Sequence, residues 1–159
     1  MINQVCLNSV LLESAKEVFE TMIFMDLDEC LDSEQNIEND NLLSSITFKG
    51  DVNGCLTIRC GYNCAKSIGT NMLGMEPDDE ISTEEIYDAL GEVANMVMGS
   101  VKTRIQDDIG DINVSIPMVM SGKEIQTNLS DKNAQKSFIK VVIDSEYVAE
   151  FTLLYKENI

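Results

Sequence analysis

The sequence predicts an α+β domain: an antiparallel-rich sheet carrying two long helices and one shorter helix, with a pseudo-twofold internal repeat. Three observations lead there. Two stretches place apolar residues at helical spacing over several turns, and short alternating runs separated by turn residues read as antiparallel strands. Each half of the chain sets a helix before its strands, a pattern that packs helices on a sheet. The 159 residues are 44% hydrophobic, enough for one core, so the expectation is a single domain over residues 1–159.

Residues 4–24 read as an amphipathic helix, with Leu7, Leu11, Ala15, Val18, Met22 and Met25 on one stripe. Residues 26–41 hold seven acidic residues and no basic one, which predicts a solvated loop around a short strand. As a calcium loop the segment fails, because it lacks the glycine and the ligand spacing of an EF-hand. Ile46 and Phe48, then Leu56, Ile58 and Cys60, alternate as two strands, with Asp51 to Gly54 as the turn. Residues 63–73 predict the shorter helix, closed by Gly74 and Pro77.

The strongest local signal follows. Ser82-Thr-Glu-Glu85 is a capping box, and Ile81 with Ile86 has the spacing of a hydrophobic staple. This second long helix should run over 83–106, with Lys102 and Arg104 near its negative end. Residues 112–119 alternate, so Ile112, Val114, Ile116 and Met118 should share one face of a strand. A polar connection over 121–136 then leads to strands at 137–144 and 147–156.

Eleven Lys and Arg stand against 28 Asp and Glu, a net charge of −17. Such a surface repels phosphate backbones and speaks against nucleic-acid partners. With no histidine, Ser-His-Asp triads, Cys-His dyads and His-ligated metal sites all drop out. Five cysteines without a CxxC pair read as reduced, mostly packed thiols. The N-terminal stretch has no basic region and carries Glu13, and no apolar run is long enough for a bilayer. The expectation is a soluble cytoplasmic domain with no membrane association.

On the second long helix Asp88, Glu92, Asn95, Gly99 and Lys102 fall within a band of roughly 80°, opposite the apolar stripe. A polar helix face is ordinarily just solvated. Here, however, Asn is a mediocre helix former and interior Gly costs about 1 kcal/mol. Gly91 and Gly99 bracket Glu92 and Asn95, which would clear room for another protein to approach. A carboxylate and a carboxamide without His or metal ligands are poor tools for proton abstraction or covalent catalysis, and a convex helix offers no sugar cleft. Phosphoryl transfer asks for less, because a carboxamide can hold a water in line by donating and accepting hydrogen bonds.

Asp88-Ala-Leu-Gly-Glu92-Val-Ala-Asn95-Met-Val-Met-Gly99, followed by Pro117-Met-Val-Met-Ser-Gly122, resembles the CheC/CheX/FliY phosphatase family of bacterial chemotaxis. The family pattern is Asp or Ser, three residues, Glu, two residues, Asn, then a Pro some 22 residues later. This chain has one residue fewer before Pro117. The resemblance implies a phosphatase acting on the phospho-aspartate of CheY-type response regulators. It implies that Asn95 orients the hydrolytic water, that Glu92 pairs with the regulator's active-site Lys, and that Asp88 supports docking. Mg²⁺ would come with the regulator, and the chain would need no cofactor of its own.

The first helix repeats the spacing at an offset of 75 residues, as Glu13, Glu17 and Glu20, with Phe24 where Gly99 sits. Glu20 replaces the required Asn, so one site per chain follows. That is the CheX-like arrangement, and it implies a homodimer. The competing reading is a non-catalytic module of the chemotaxis or flagellar-switch type, which would recognise a response regulator without hydrolysis. A small-ligand sensor has no supporting motif.

Overall fold

The computed structural model describes residues 4–32, 34–76, 78–121 and 134–157. Helix α1 spans Gln4–Val18 and widens into one π-helical turn, Phe19–Ile23. Phe24, in the left-handed region at φ 62°, ends it with its N–H donating to the Phe19 carbonyl. The wide turn shifts the helical phase, so Phe19, Ile23 and Met25 point inward while Met22 is 56% exposed. The expected stripe is corrected at Met22 for that reason.

A short strand β1, Leu27–Glu29, lies inside the acidic stretch. Strands β2 (Asn41–Gly50) and β3 (Val52–Gly61) form a hairpin longer than the expected one. The last pair of the hairpin is Phe48 with Gly54, so its connection runs over 49–53, which takes in 51–53 of the expected turn and excludes Gly54. Gly54 sits within β3 opposite Phe48, whose ring covers the space a Cβ would need. Helix α2 covers Tyr62–Met72 and α3 covers Thr83–Ile109. The capping box forms as predicted: Glu85 N–H donates to Ser82 Oγ at 3.1 Å, and Ser82 N–H donates to Glu85 Oε1 at 3.2 Å.

After α3 the expected single strand over 112–119 is two, β4 (Ile112–Val114) and β5 (Met118–Ser121). Both pair with β2, Val114 opposite Phe48 and Met118 opposite Ser45. Ile46 and Thr47 lie between those positions on β2, but Ser115, Ile116 and Pro117 lie between them on the other strand. One extra residue is a β-bulge, and it reverses the alternation. Ile112 therefore faces the core as predicted, whereas Ile116 and Met118 are 86% and 64% exposed. Strands β6 (Gln135–Ile143) and β7 (Tyr147–Glu157) complete the sheet. Of the expected 121–136 connection, Ser121 belongs to β5 and residues 135–136 to β6; residues 122–133 lie outside the described residues.

The strands run in the order β1-β6-β7-β3-β2-β4, with β5 also on β2, and all described pairings are antiparallel. Exchanging β1 with β4, β6 with β2 and β7 with β3 returns the same order. Since α1 precedes β1 and α3 precedes β4, the topology carries the twofold repeat.

The inward residues of the four central strands, among them Ile46, Leu56, Ile58, Ile139, Val141, Phe151 and Leu153, are buried in one core with the helices. Phe19 meets Phe151 edge to face, with centroids 6.2 Å apart. Ser44, buried in β2, donates to the Leu90 carbonyl of α3 at 3.0 Å and so ties the motif helix to the sheet. On the other face Lys140 reaches the Gln35 carbonyl, and residues 36–39 form a cleft with Arg59 and Glu150. The acidic segment thus lies across sheet positions that carry cations. No helix among the described residues is long and apolar enough to cross a membrane.

Candidate functional site

Helix α3 is a rigid platform. Ile86, Leu90, Val93, Ala94, Val97, Val101 and Ile105 are all buried, as the helical wheel predicts. Asp88, Glu92, Asn95 and Gly99 face solvent, and Lys102 is half-buried at the far end of the same band. Burial of one face fixes the other, so these side chains have a defined bearing without being packed themselves. The side chains of Asp88, Glu92 and Asn95 have no hydrogen-bond or ion-pair partner among the described residues.

The two glycines differ. A Cβ at Gly99 would meet nothing within 4 Å, so the space beside Asn95 is open. Gly91 is buried, and a Cβ there would touch Pro117 Cγ at 3.5 Å and Val119 Cγ2 at 3.8 Å. The expectation that Gly91 clears room for a partner is corrected: the chain's own Pro117 fills that room. Pro117 sits in the bulge between β4 and β5, and its ring rests on the turn of α3 that carries Glu92.

In the equivalent band of α1, Glu13 and Glu17 are tied to α3. Arg104 of α3 reaches Glu17 at 2.6 Å and Glu13 at 3.3 Å, and Ser100 Oγ donates to Glu17 Oε2 at 3.1 Å. Glu13 pairs with the later residue and Glu17 with the earlier, so α1 and α3 run antiparallel. The Arg104 and Ser100 hydrogen bonds, with the Arg104 charge, hold the Glu17 carboxyl below the usual carboxylate range. Arg104 thus bridges two helices in addition to lying near the end of its own, a role the sequence reading missed. The available signal was the matching four-residue spacing of Glu13/Glu17 and Ser100/Arg104. Glu20 and Phe24 are exposed, Phe24 at 76%.

Chemically, the α3 face offers an unpaired carboxylate and, one turn on, an unpaired carboxamide with free donor and acceptor atoms. Among the described residues no group of three or more Cys, Asp or Glu is arranged to hold a metal ion. The cysteines supply no nucleophile on this face. Cys55, Cys60 and Cys64 are buried, and the Cys60 thiol together with burial pushes Cys64 well above the usual thiol range.

Three helices packed on an antiparallel sheet are the architecture of the CheC/CheX class of fold. The family described as "Chemotaxis phosphatase CheX" matches residues 42–141, well over half of the chain. The protein belongs to the CheX family.

Solved structures agree on the fold. The chain is similar to the chemotaxis protein CheX from Vibrio vulnificus, at 22% identity and TM-score 0.77 over 98% of this chain and 100% of that one. It is similar to CheX from Borrelia burgdorferi, solved as a CheX-CheY-BeF3-Mg²⁺ complex, at 18% identity and TM-score 0.74 over 99% and 100%. It also resembles FliY from Thermotoga maritima, at 17% identity and TM-score 0.66 over 95% and 88%. No curated protein sequence matches it.

Proposed function

We propose that this protein is a single CheX-like domain that dephosphorylates the phospho-aspartate of a CheY-type response regulator. The carrying observation is Asn95: an exposed, unpaired carboxamide on a buried-backed helix, with open space beside it at Gly99. The reaction adds water to an acyl phosphate, breaking the P–O bond to release inorganic phosphate and restore the aspartate carboxylate. Its loose transition state demands an attacking water in line with the leaving oxygen. Asn95 holds that water with its carbonyl and amide groups. Glu92, one turn earlier, receives the regulator's Lys, and Asp88 extends the same acidic edge for docking, with Lys102 at the other end of the band.

Mg²⁺ neutralises the phosphoryl oxygens and arrives with the regulator, a reading supported by the Borrelia complex, where CheX is accompanied by CheY, BeF3 and Mg²⁺. The reaction would take place in the cytoplasm, where such regulators work. A homodimer fits the sheet edge at β5, which pairs only with β2 among the described residues and exposes Met118 and Met120.

The test is phosphate release from a phosphorylated CheY-type regulator with Mg²⁺. Addition of this protein should accelerate release catalytically. Stoichiometric binding with no acceleration would favour the non-catalytic module instead.

A further inference from the structure

The bulge between β4 and β5 sets Pro117 against Gly91 and leaves Ile116 outside the sheet. Ser115 alone keeps the ladder: its N–H donates to the Thr47 carbonyl at 2.8 Å, and its Oγ accepts from Thr47 N–H at 3.0 Å. Pro117 cannot donate and turns its ring onto Gly91 instead. Ile116, between them, is lifted out of the sheet and left 86% exposed.

Its position follows from covalent geometry. A Cβ built on Gly91 would lie 3.7 Å from Pro117 Cβ; adding two Cα–Cβ bonds of about 1.5 Å and one trans peptide step of about 3.8 Å, Ile116 Cα lies within about 10.5 Å of Gly91 Cα. Gly91 adjoins Glu92 and stands one turn before Asn95. A bulge next to a site is a known way of re-aiming a side chain. Here it presents a bare aliphatic group at the margin of a polar helix face.

We infer that Ile116 is an apolar docking residue for the phosphorylated regulator, contacting it beside the Glu92–Asn95 face and setting affinity rather than the chemical step. The inference rests on the proposed phosphatase reading. The partner surface it fits is apolar and adjoins a cation: Ile116 loses water against the apolar part while Glu92 takes the charge. The exposed Met118 and Met120 lie beyond Pro117 on β5, where the dimer edge is proposed.

The test is direct titration of a BeF3-activated CheY-type regulator against wild type, Ile116→Ala, Ile116→Asp and Asn95→Ala, with sedimentation of each and steady-state phosphate release. Ile116→Asp should weaken binding and raise KM by about tenfold or more, the range of a truncated interface anchor, with kcat within about twofold. Ile116→Ala should do the same to a smaller degree, and Asn95→Ala should lower kcat while leaving affinity nearly unchanged. Unchanged affinity in Ile116→Asp overturns the inference, as does an affinity loss that tracks a change in oligomeric state. Absence of turnover in wild type with binding intact would sink the phosphatase reading alone, since the titration still reports on Ile116.

Discussion

Asn95 and Glu20 occupy matching places in the two halves, and the carboxylates beside them differ. Both are exposed, but Glu17 beside Glu20 is engaged by Ser100 and Arg104, whereas Glu92 beside Asn95 has no partner among the described residues. The helical spacing alone revealed that Asn95 and Glu92 face solvent, because the opposite stripe is unambiguous. It did not reveal the clamp, because that depends on which helix lies alongside which. The clamp has a pH signature. A carboxyl whose folded value lies below its unfolded one contributes stability that is complete above the unfolded value, ~4.3, and is lost as pH falls through the folded one. The Tm advantage of wild type over Glu17→Gln should therefore be full at neutral pH and shrink below about pH 4. An advantage that does not change between pH 7 and pH 3 would contradict this account of Glu17.

The long motif helix was legible because its start is written locally: Ser82 and Glu85 satisfy one another's backbone whatever lies around them. The following strand was not. Its alternation is regular in sequence, but Pro117 packs on Gly91, a contact made across the fold, and the bulge that permits it flips the outward residues. The β2–β3 hairpin reads shorter in sequence than it is, because Gly54 looks like a turn residue and is instead a strand position beneath the Phe48 ring. The two motif glycines test this scale. At Gly91 the nearest atoms stand at ordinary contact distance, so Gly91→Ala should gain up to about 1 kcal/mol of helix propensity, while Gly91→Leu should overpack Pro117 and cost about 1–3 kcal/mol. Gly99→Ala meets no neighbour and should also raise Tm, but it should weaken regulator binding if the open space there is used for docking. Urea unfolding and regulator titration on the three variants read both effects. A destabilised Gly91→Ala would mean that Pro117 sits closer than ordinary contact.

For the molecule as a whole, the repeat visible in the sequence as a 75-residue offset appears as a strand order that reads the same from both edges. The fold class, the three helices and the antiparallel sheet were all legible, since periodicity carries them. The crossing of residues 35–39 over the sheet is not, because a run of carboxylates reads as solvated until Lys140 and Arg59 are known to lie beside it. The two like helices differ in their polar bands: Glu13 and Glu17 of α1 are engaged by Arg104 and Ser100, whereas Asp88, Glu92 and Asn95 of α3 have no partner among the described residues. In the proposed reading that difference puts the weight on Asn95. The most direct measurement is the single-turnover rate of phosphate release from a saturating phosphorylated regulator, with wild type and Asn95→Ala compared side by side. The account predicts that Asn95→Ala, still folded and still bound, loses most of the acceleration, by about a hundredfold, the usual scale for a group that acts on the attacking water. Turnover at the wild-type rate in Asn95→Ala would contradict it.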